Sequence, residues 1–182
     1  MSASSILQAL QRDHANFGRV LDVLREELAL LETDSDPDFE LVRDALEYLQ
    51  EYGNLYHHPK EDAIYEYHLE HHDKGWLNID KLLDEHSKLE GLTEELRLAT
   101  EGMLHDVVTR RDDYVAKLRA FVESQSRHVE VEEMHVFPMI RDAFSDADWV
   151  AVERQWPTPD DPLFGAEVRE PFRGLYSRIT KV

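Results

Sequence analysis

Six side chains recur along this chain in a pattern suited to holding metal ions. His57 is followed four positions on by Glu61, and His128 four positions on by Glu132. A single histidine precedes each pair at nearly the same distance: His14 stands 43 positions ahead of His57, and His86 stands 42 ahead of His128. Acids flank the repeat in matching places, Asp13 before His14 and Glu85 before His86, with Asp62 after Glu61 and Glu133 after Glu132. Residues four apart lie one above the other on a helix, so a His and a Glu at that spacing point at a common volume. Two carboxylates can bridge a pair of ions while four neutral imidazoles fill part of each shell. Nitrogen and oxygen donors without sulfur suit iron, manganese or zinc.

Spacing alone is weak, because His-x-x-x-Glu pairs also arise on solvent faces; His86 and Glu90 make a third one here. Burial adds the second argument. All six residues fall on otherwise apolar helical stripes, where an unpaired ionised group costs on the order of several kcal/mol and a metal offsets that cost. One further residue is an additional ligand candidate: His135, which lies three positions after Glu132 and otherwise packs or supports the site. His58, beside Pro59, is expected at the surface or supporting a ligand from outside. Tyrosines 48, 52, 56, 65 and 67 crowd the second helix. Most of these read as packing residues, with room for one to approach the metals.

The elements that must position these groups read as four long helices. The first runs from about Ser5 to Leu31, with Ser5 and Gln8 at capping-box spacing and Leu10, Phe17, Leu21, Leu24 and Leu28 marking its buried stripe. A turn at Thr33–Pro37 follows, with Asp36 capping the second helix and Pro37 in its first turn. Pro59 lies inside the second helix and removes the hydrogen bond to the Leu55 carbonyl, so a kink or a wider turn is expected there. His71 to Gly75 reads as a loop, and the third helix spans about Asn78 or Ile79 to Thr100. The stretch Glu101–Thr109 holds the break, and the fourth helix covers about Arg111 to Phe144. The spacing therefore predicts an all-α fold, an up-and-down antiparallel four-helix bundle over residues 1–144. A short helical C-terminal extension, 145–182, is expected to pack on it. Its first helix would be capped by Ser145 or Asp146 and a last short one would span Glu167 to Ile179. The aromatic residues Trp149, Trp156, Phe164, Phe172 and Tyr176 are expected to cover one end of the bundle, a homodimer interface being the alternative.

Composition removes several classes of function. The chain has 182 residues and a net charge of −19, a surface that repels phosphate backbones and anionic membranes. It has no cysteine, so disulfides, thiolate zinc sites and iron–sulfur clusters are excluded. No window approaches 18 consecutive apolar residues, and the first residues lack the basic and apolar regions of a signal peptide, which makes a cytoplasmic protein the expectation.

The segments Arg12-Asp13-His14, His57-His58-Pro59-Lys60-Glu61-Asp62, Asp84-Glu85-His86 and His128 to Pro138 together resemble the hemerythrin-like family, the HHE cation-binding domains. The resemblance covers residues 4 to 144 and implies a non-haem di-iron centre inside a four-helix bundle. Glu61 and Glu132 would bridge the irons, and His14, His57, His86 and His128 would be terminal ligands. Relatives bind or sense O2, handle iron, or respond to nitric oxide and peroxide. The oxygen carriers of that family have a fifth histidine one turn after the first histidine of the third helix. Glu90 stands in that place here, so by this resemblance either its carboxylate is an additional ligand or water takes the position, which sets reversible oxygen carriage in doubt.

The expectation is thus a protein with two iron ions, manganese or zinc being the alternatives, that binds or senses O2 or a related small molecule such as NO or peroxide. A di-iron redox enzyme of peroxidase or oxidase type, and a bundle merely tied together by metal, are the competing readings. Neither nucleic acid nor membrane is an expected partner.

Overall fold

A computed structural model describes residues 3–33, 35–72, 79–105, 107–153 and 160–181. Every long element is helical: α1 (Ala3–Glu32), α2 (Phe39–Tyr48), α3 (His58–His71), α4 (Ile79–Leu104), α5 (Arg111–Val131) and α6 (Phe137–Ala143). π-Helical segments at Leu49–His57 and Glu132–Val136 join α2 to α3 and α5 to α6 without a break. Four rods result: α1, α2–α3, α4 and α5–α6. Two short helices follow, α7 (Asp146–Glu153) and α8 (Arg173–Thr180), the latter entered through a 3-10 turn at Glu170–Phe172.

The rods form an up-and-down bundle in which α1 packs on α2 and α5, and α4 packs on the same two helices. Their antiparallel order shows in the core. One apolar cluster joins the C-terminal half of α1 (Leu21, Leu24, Leu28) to the start of α2 (Val42, Leu46), the end of α4 (Leu96) and the start of α5 (Leu118, Phe121). The other joins the start of α1 (Leu7, Leu10) to Ile64 and Tyr65 of α3, Ile79 and Leu82 of α4, and Phe137 and Ile140 of α6. Between the two clusters, at mid-height, lies a layer of buried histidine and glutamate.

Several ends differ from the sequence expectation, each for a local reason. Asp38, not Asp36, caps α2: its carboxylate accepts the Leu41 N–H at 3.0 Å, and Pro37 precedes the cap. The first helix already includes Ala3, which places Ser5 within its first turns instead of at the cap. Helix α4 continues past Thr100 to Leu104, because Thr100 is buried, bonding Leu96 O and lying 2.7 Å from the Tyr114 hydroxyl, and Met103 packs on the core beyond it. At the end of α1 the Arg111 guanidinium donates to Leu31 O at 2.6 Å, which satisfies a terminal carbonyl and joins the starts and ends of neighbouring rods. Ser145 and Asp148 form a reciprocal capping box on α7: the Asp148 carboxylate accepts the Ser145 N–H at 2.8 Å and the Ser145 hydroxyl faces the Asp148 N–H at 3.4 Å.

The wider turn expected at Pro59 is present. Proline has no N–H and its ring crowds the carbonyl four residues back, so the chain opens by one residue and the His58 N–H bonds Gly53 O. The same device recurs before Pro138, where the Phe137 N–H bonds Glu132 O. The tail does not cover one end of the bundle, as its aromatics suggested. Trp149 and Val152 join the cluster of Leu7 and Ile64, whereas Leu163, Phe172 and Leu175 join the opposite one. The extension therefore touches both ends. Trp156, Asn78 and the loop residues Asp73 to Gly75 lie outside the described residues.

Candidate metal centre

All six residues of the repeat are buried in the mid-height layer, and all six meet there. Each rod carries its share because the buried stripes of α1 and α4 pass through His14 and His86, while the second and fourth rods present His57 and Glu61, and His128 and Glu132, one turn apart. Glu61 lies 3.2 Å from Nε2 of both His14 and His57 and 3.6 Å from Nε2 of His86. Glu132 lies 3.4 Å from Nε2 of His14, 3.5 Å from that of His86 and 3.3 Å from that of His128. Nε2 of His86 and Nε2 of His128 face each other at 2.9 Å. Every one of the four imidazoles thus turns Nε2 inward.

A cation fits this arrangement. Nε2 of His57, both oxygens of Glu61 and Oε2 of Glu132 are buried without a hydrogen-bond partner, though each has an oppositely disposed group within reach. Their lone pairs converge on shared space instead of on one another. Such orphaned atoms cost a native protein free energy unless something else satisfies them. Two groups have ligand-atom spacing short enough for one ion each: His14, His57 and Glu61, and His58, Glu61, His86 and His128. Glu61 belongs to both.

His58, expected at the surface or supporting a ligand from outside, is placed by the structure beside the ligands themselves. It is buried, its ring stacks on that of His86 at 4.3 Å between centroids, and it stands with the second group. Adjacent residues of a regular α-helix diverge by about 100°, which argues for one of the pair facing out. The π turn that ends at His57 rotates less per residue, and both imidazoles face in. Glu90 and His135, the additional ligand candidates, both lie away from the layer. The buried line of α4 runs through His86, Leu89, Thr93 and Leu96, so Glu90 falls on the solvent side. The extra residue of the second π turn brings Val136 and Phe137 inward in place of His135, which is exposed.

The outward nitrogens are tied as well. Nδ1 of His57 lies 3.1 Å from Asp13, that of His14 2.9 Å from Glu133, that of His86 2.5 Å from Asp62 and that of His128 3.4 Å from Glu85. These are the four flanking acids of the repeat. Tyr52 donates to Asp13 at 3.3 Å and Gln11 to Glu133 at 2.8 Å, which braces two of them. Among the crowded tyrosines, Tyr65 reaches the inner layer itself and donates to Glu132 Oε1 at 2.6 Å.

The electrostatics follow from burial and pairing. Burial alone would neutralise His14, but the nearby carboxylates of Glu132, Glu133 and Glu61 outweigh it and hold the imidazole well above its ordinary value. His86 is depressed by burial yet pushed up to about 10 by Asp62 and Glu132. Glu61, raised by burial, is brought well below the usual range by His57 and His14. Glu132 is raised by burial and by Glu61, and lowered overall to about 2 by His128, His14 and His86. His58 differs: burial and the neighbouring His86 charge drive it well below its ordinary value, leaving a neutral ring with a free lone pair. A cation bound in the layer would take the place of protons in balancing the inner carboxylates.

The family model described as the hemerythrin HHE cation binding domain matches residues 5–140. No curated protein and no solved structure matches the chain. Among the described residues no helix is long and apolar enough to cross a membrane.

Proposed function

Because the chain belongs to the hemerythrin HHE cation-binding family, we propose that its buried layer holds two iron ions and that the protein binds or senses O2 or a related small molecule, NO or peroxide. The observation that carries the reading is the sharing of carboxylates. Glu61 reaches histidines of both ligand groups, and so does Glu132, which is the disposition that two adjacent ions require. His14 and His57 would serve one ion, and His58, His86 and His128 the other. The site then has five imidazoles, the fifth supplied by the second rod at His58 and not by the third rod at Glu90. Iron in such a nitrogen and oxygen shell supplies reversible one-electron chemistry and open positions for a diatomic or peroxide ligand.

The chain's own residues suit a small visitor. A groove of about 250 Å³ between α4 and α5, lined by Glu85, Lys88, Leu92 and Arg127, reaches His128 and offers a small ligand a way to the layer. The apolar clusters above and below the layer keep bulk water from it. Metal analysis and absorption spectra test the reading. Two irons per chain, with charge-transfer bands that bleach on anaerobic reduction and change again on exposure to air or NO, are expected. Protein purified with iron available that holds none, or bands indifferent to reduction and to both gases, would overturn it.

A second reading, a peroxide-consuming redox enzyme, draws on Tyr65, an oxidisable phenol bonded to Glu132. Hydrogen peroxide turnover by wild type and by His128→Ala separates the two: equal rates remove the centre as the source of any activity.

A further inference from the structure

The four outer acids are arranged in an order that pairwise contacts do not require. Asp13 on the first rod holds His57 on the second, and Asp62 on the second holds His86 on the third. Glu85 on the third holds His128 on the fourth, and Glu133 on the fourth returns to His14 on the first. Each rod gives one carboxylate to the histidine of the next, and the series closes. We propose that Asp13, Asp62, Glu85 and Glu133 are a closed ring of positioning carboxylates that fixes all four imidazoles with Nε2 inward and biases the centre toward the more highly charged state of its ions. The proposal rests on the two-ion reading above.

Two physical arguments support it. A carboxylate on Nδ1 sets the tautomer, holds the ring plane and makes the opposite nitrogen a stronger donor. The charge count gives the bias. Two inner and four outer carboxylates carry six negative charges around neutral imidazoles, which two trivalent ions balance and two divalent ions do not. Groups of opposite sign a few ångströms away in a buried setting favour the higher charge. The links are unequal in a way that ranks the variants. Asp62–His86 is the shortest at 2.5 Å, while Glu85–His128 is the longest at 3.4 Å, with the Glu85 side chain 46% exposed and screened by water.

The experiment compares Asp13→Asn, Asp62→Asn, Glu85→Gln and Glu133→Gln with Glu90→Gln, which removes the same charge one turn from His86 but on the solvent side of α4. Metal-loaded protein is challenged with a chelator, with zinc and with iron separately, and the potential of the iron form is followed through its absorption bands. Ring variants are expected to lose ten- to a hundredfold in metal affinity, Asp62→Asn most and Glu85→Gln least. Their potentials are expected to rise, by about 59 mV for each tenfold larger loss of ferric than of ferrous ion. Glu90→Gln should match wild type in both readouts. Four isosteric variants guard against one that fails to fold. Ring variants indistinguishable from Glu90→Gln overturn the proposal, and a loss of affinity with no change in potential overturns its charge bias, leaving the acids only to position the rings. Wild-type protein that binds two zinc ions but no iron would remove the di-iron reading, while the zinc challenge would still decide the ring.

Discussion

Tyr65 and His58 are the two side chains that most extend the metal layer beyond the repeat. The Tyr65 phenol is fully buried, and burial together with the Glu132 and Glu61 charges holds it well above its ordinary value, so it stays a donor to Glu132. Tyr65→Phe leaves Glu132 Oε1 without that donor inside an apolar cluster. Metal-stripped Tyr65→Phe is expected to lose about 1–3 kcal/mol in denaturant unfolding, and the loaded form less, since a metal then compensates the carboxylate. His58 belongs to only one of the two ligand groups. His58→Ala should therefore bring metal content from two ions toward one per chain, with His14, His57 and Glu61 still occupied; unchanged stoichiometry would remove His58 from the shell. The sequence made six of these residues legible because the two halves repeat them, and it displayed the ring acids as the flanking matches Asp13, Asp62, Glu85 and Glu133. It concealed which nitrogen each acid would hold, since those pairs join different rods. The inward turn of His58 and the outward turn of His135 were not legible, because a uniform helical period does not hold through the two wide turns.

Those turns are the functional feature at the scale of the element. Each π segment ends just before a proline, at Pro59 and Pro138, and each changes which side chains face inward by one position. The extra residue lets the rod satisfy an apolar cluster on one side of the segment and the metal layer on the other. Deleting Leu55, an exposed residue of the first segment, restores a regular turn and rotates α3 by about 100° relative to α2. Such a variant is expected to keep its helical circular dichroism and lose its metal; retention of two ions would show that the wide turn does not set the register. A second element, α7, depends on its capping box. Ser145→Ala should cost about 1 kcal/mol. Asp148 is held down to about 2, chiefly by the Ser145 hydroxyl and N–H, so the native state binds its proton less readily than the unfolded chain. The stability it lends is present above the unfolded value of about 4 and disappears as pH falls through about 2. The difference in melting temperature between wild type and Asp148→Asn should accordingly be constant from pH 7 to 5 and shrink toward zero near pH 2.

For the whole molecule the decisive feature is that the core is two cores. A larger apolar cluster around Leu24, Leu46, Leu118 and Phe121 and a smaller one around Leu10, Ile64, Val136 and Ile140 are separated by a layer of imidazoles and carboxylates. Polar atoms at mid-height contribute little to cohesion by themselves, because the desolvation they suffer roughly cancels their mutual attraction. A cation changes that balance, since it binds only the native arrangement, and native-state binding stabilises by about 2.7 kcal/mol when free metal is a hundredfold above Kd. The tail reinforces both ends, with Trp149 on the smaller cluster and Phe172 and Leu175 on the larger. Stripping the metal should therefore lower the melting temperature, and the loss should be uneven. Backbone amides around Leu7, Ile64, Val136 and Ile140 belong to the cluster with fewer side chains and lean most on the layer beside them. Hydrogen exchange is expected to accelerate there first, while amides around Leu24 and Leu118 keep near-native protection. Exchange that accelerates equally at both ends would mean that the layer joins the clusters into one cooperative unit even without its ions. An unchanged melting temperature would mean that the native bundle binds the ions no better than the unfolded chain does, and would remove the metal layer as a site.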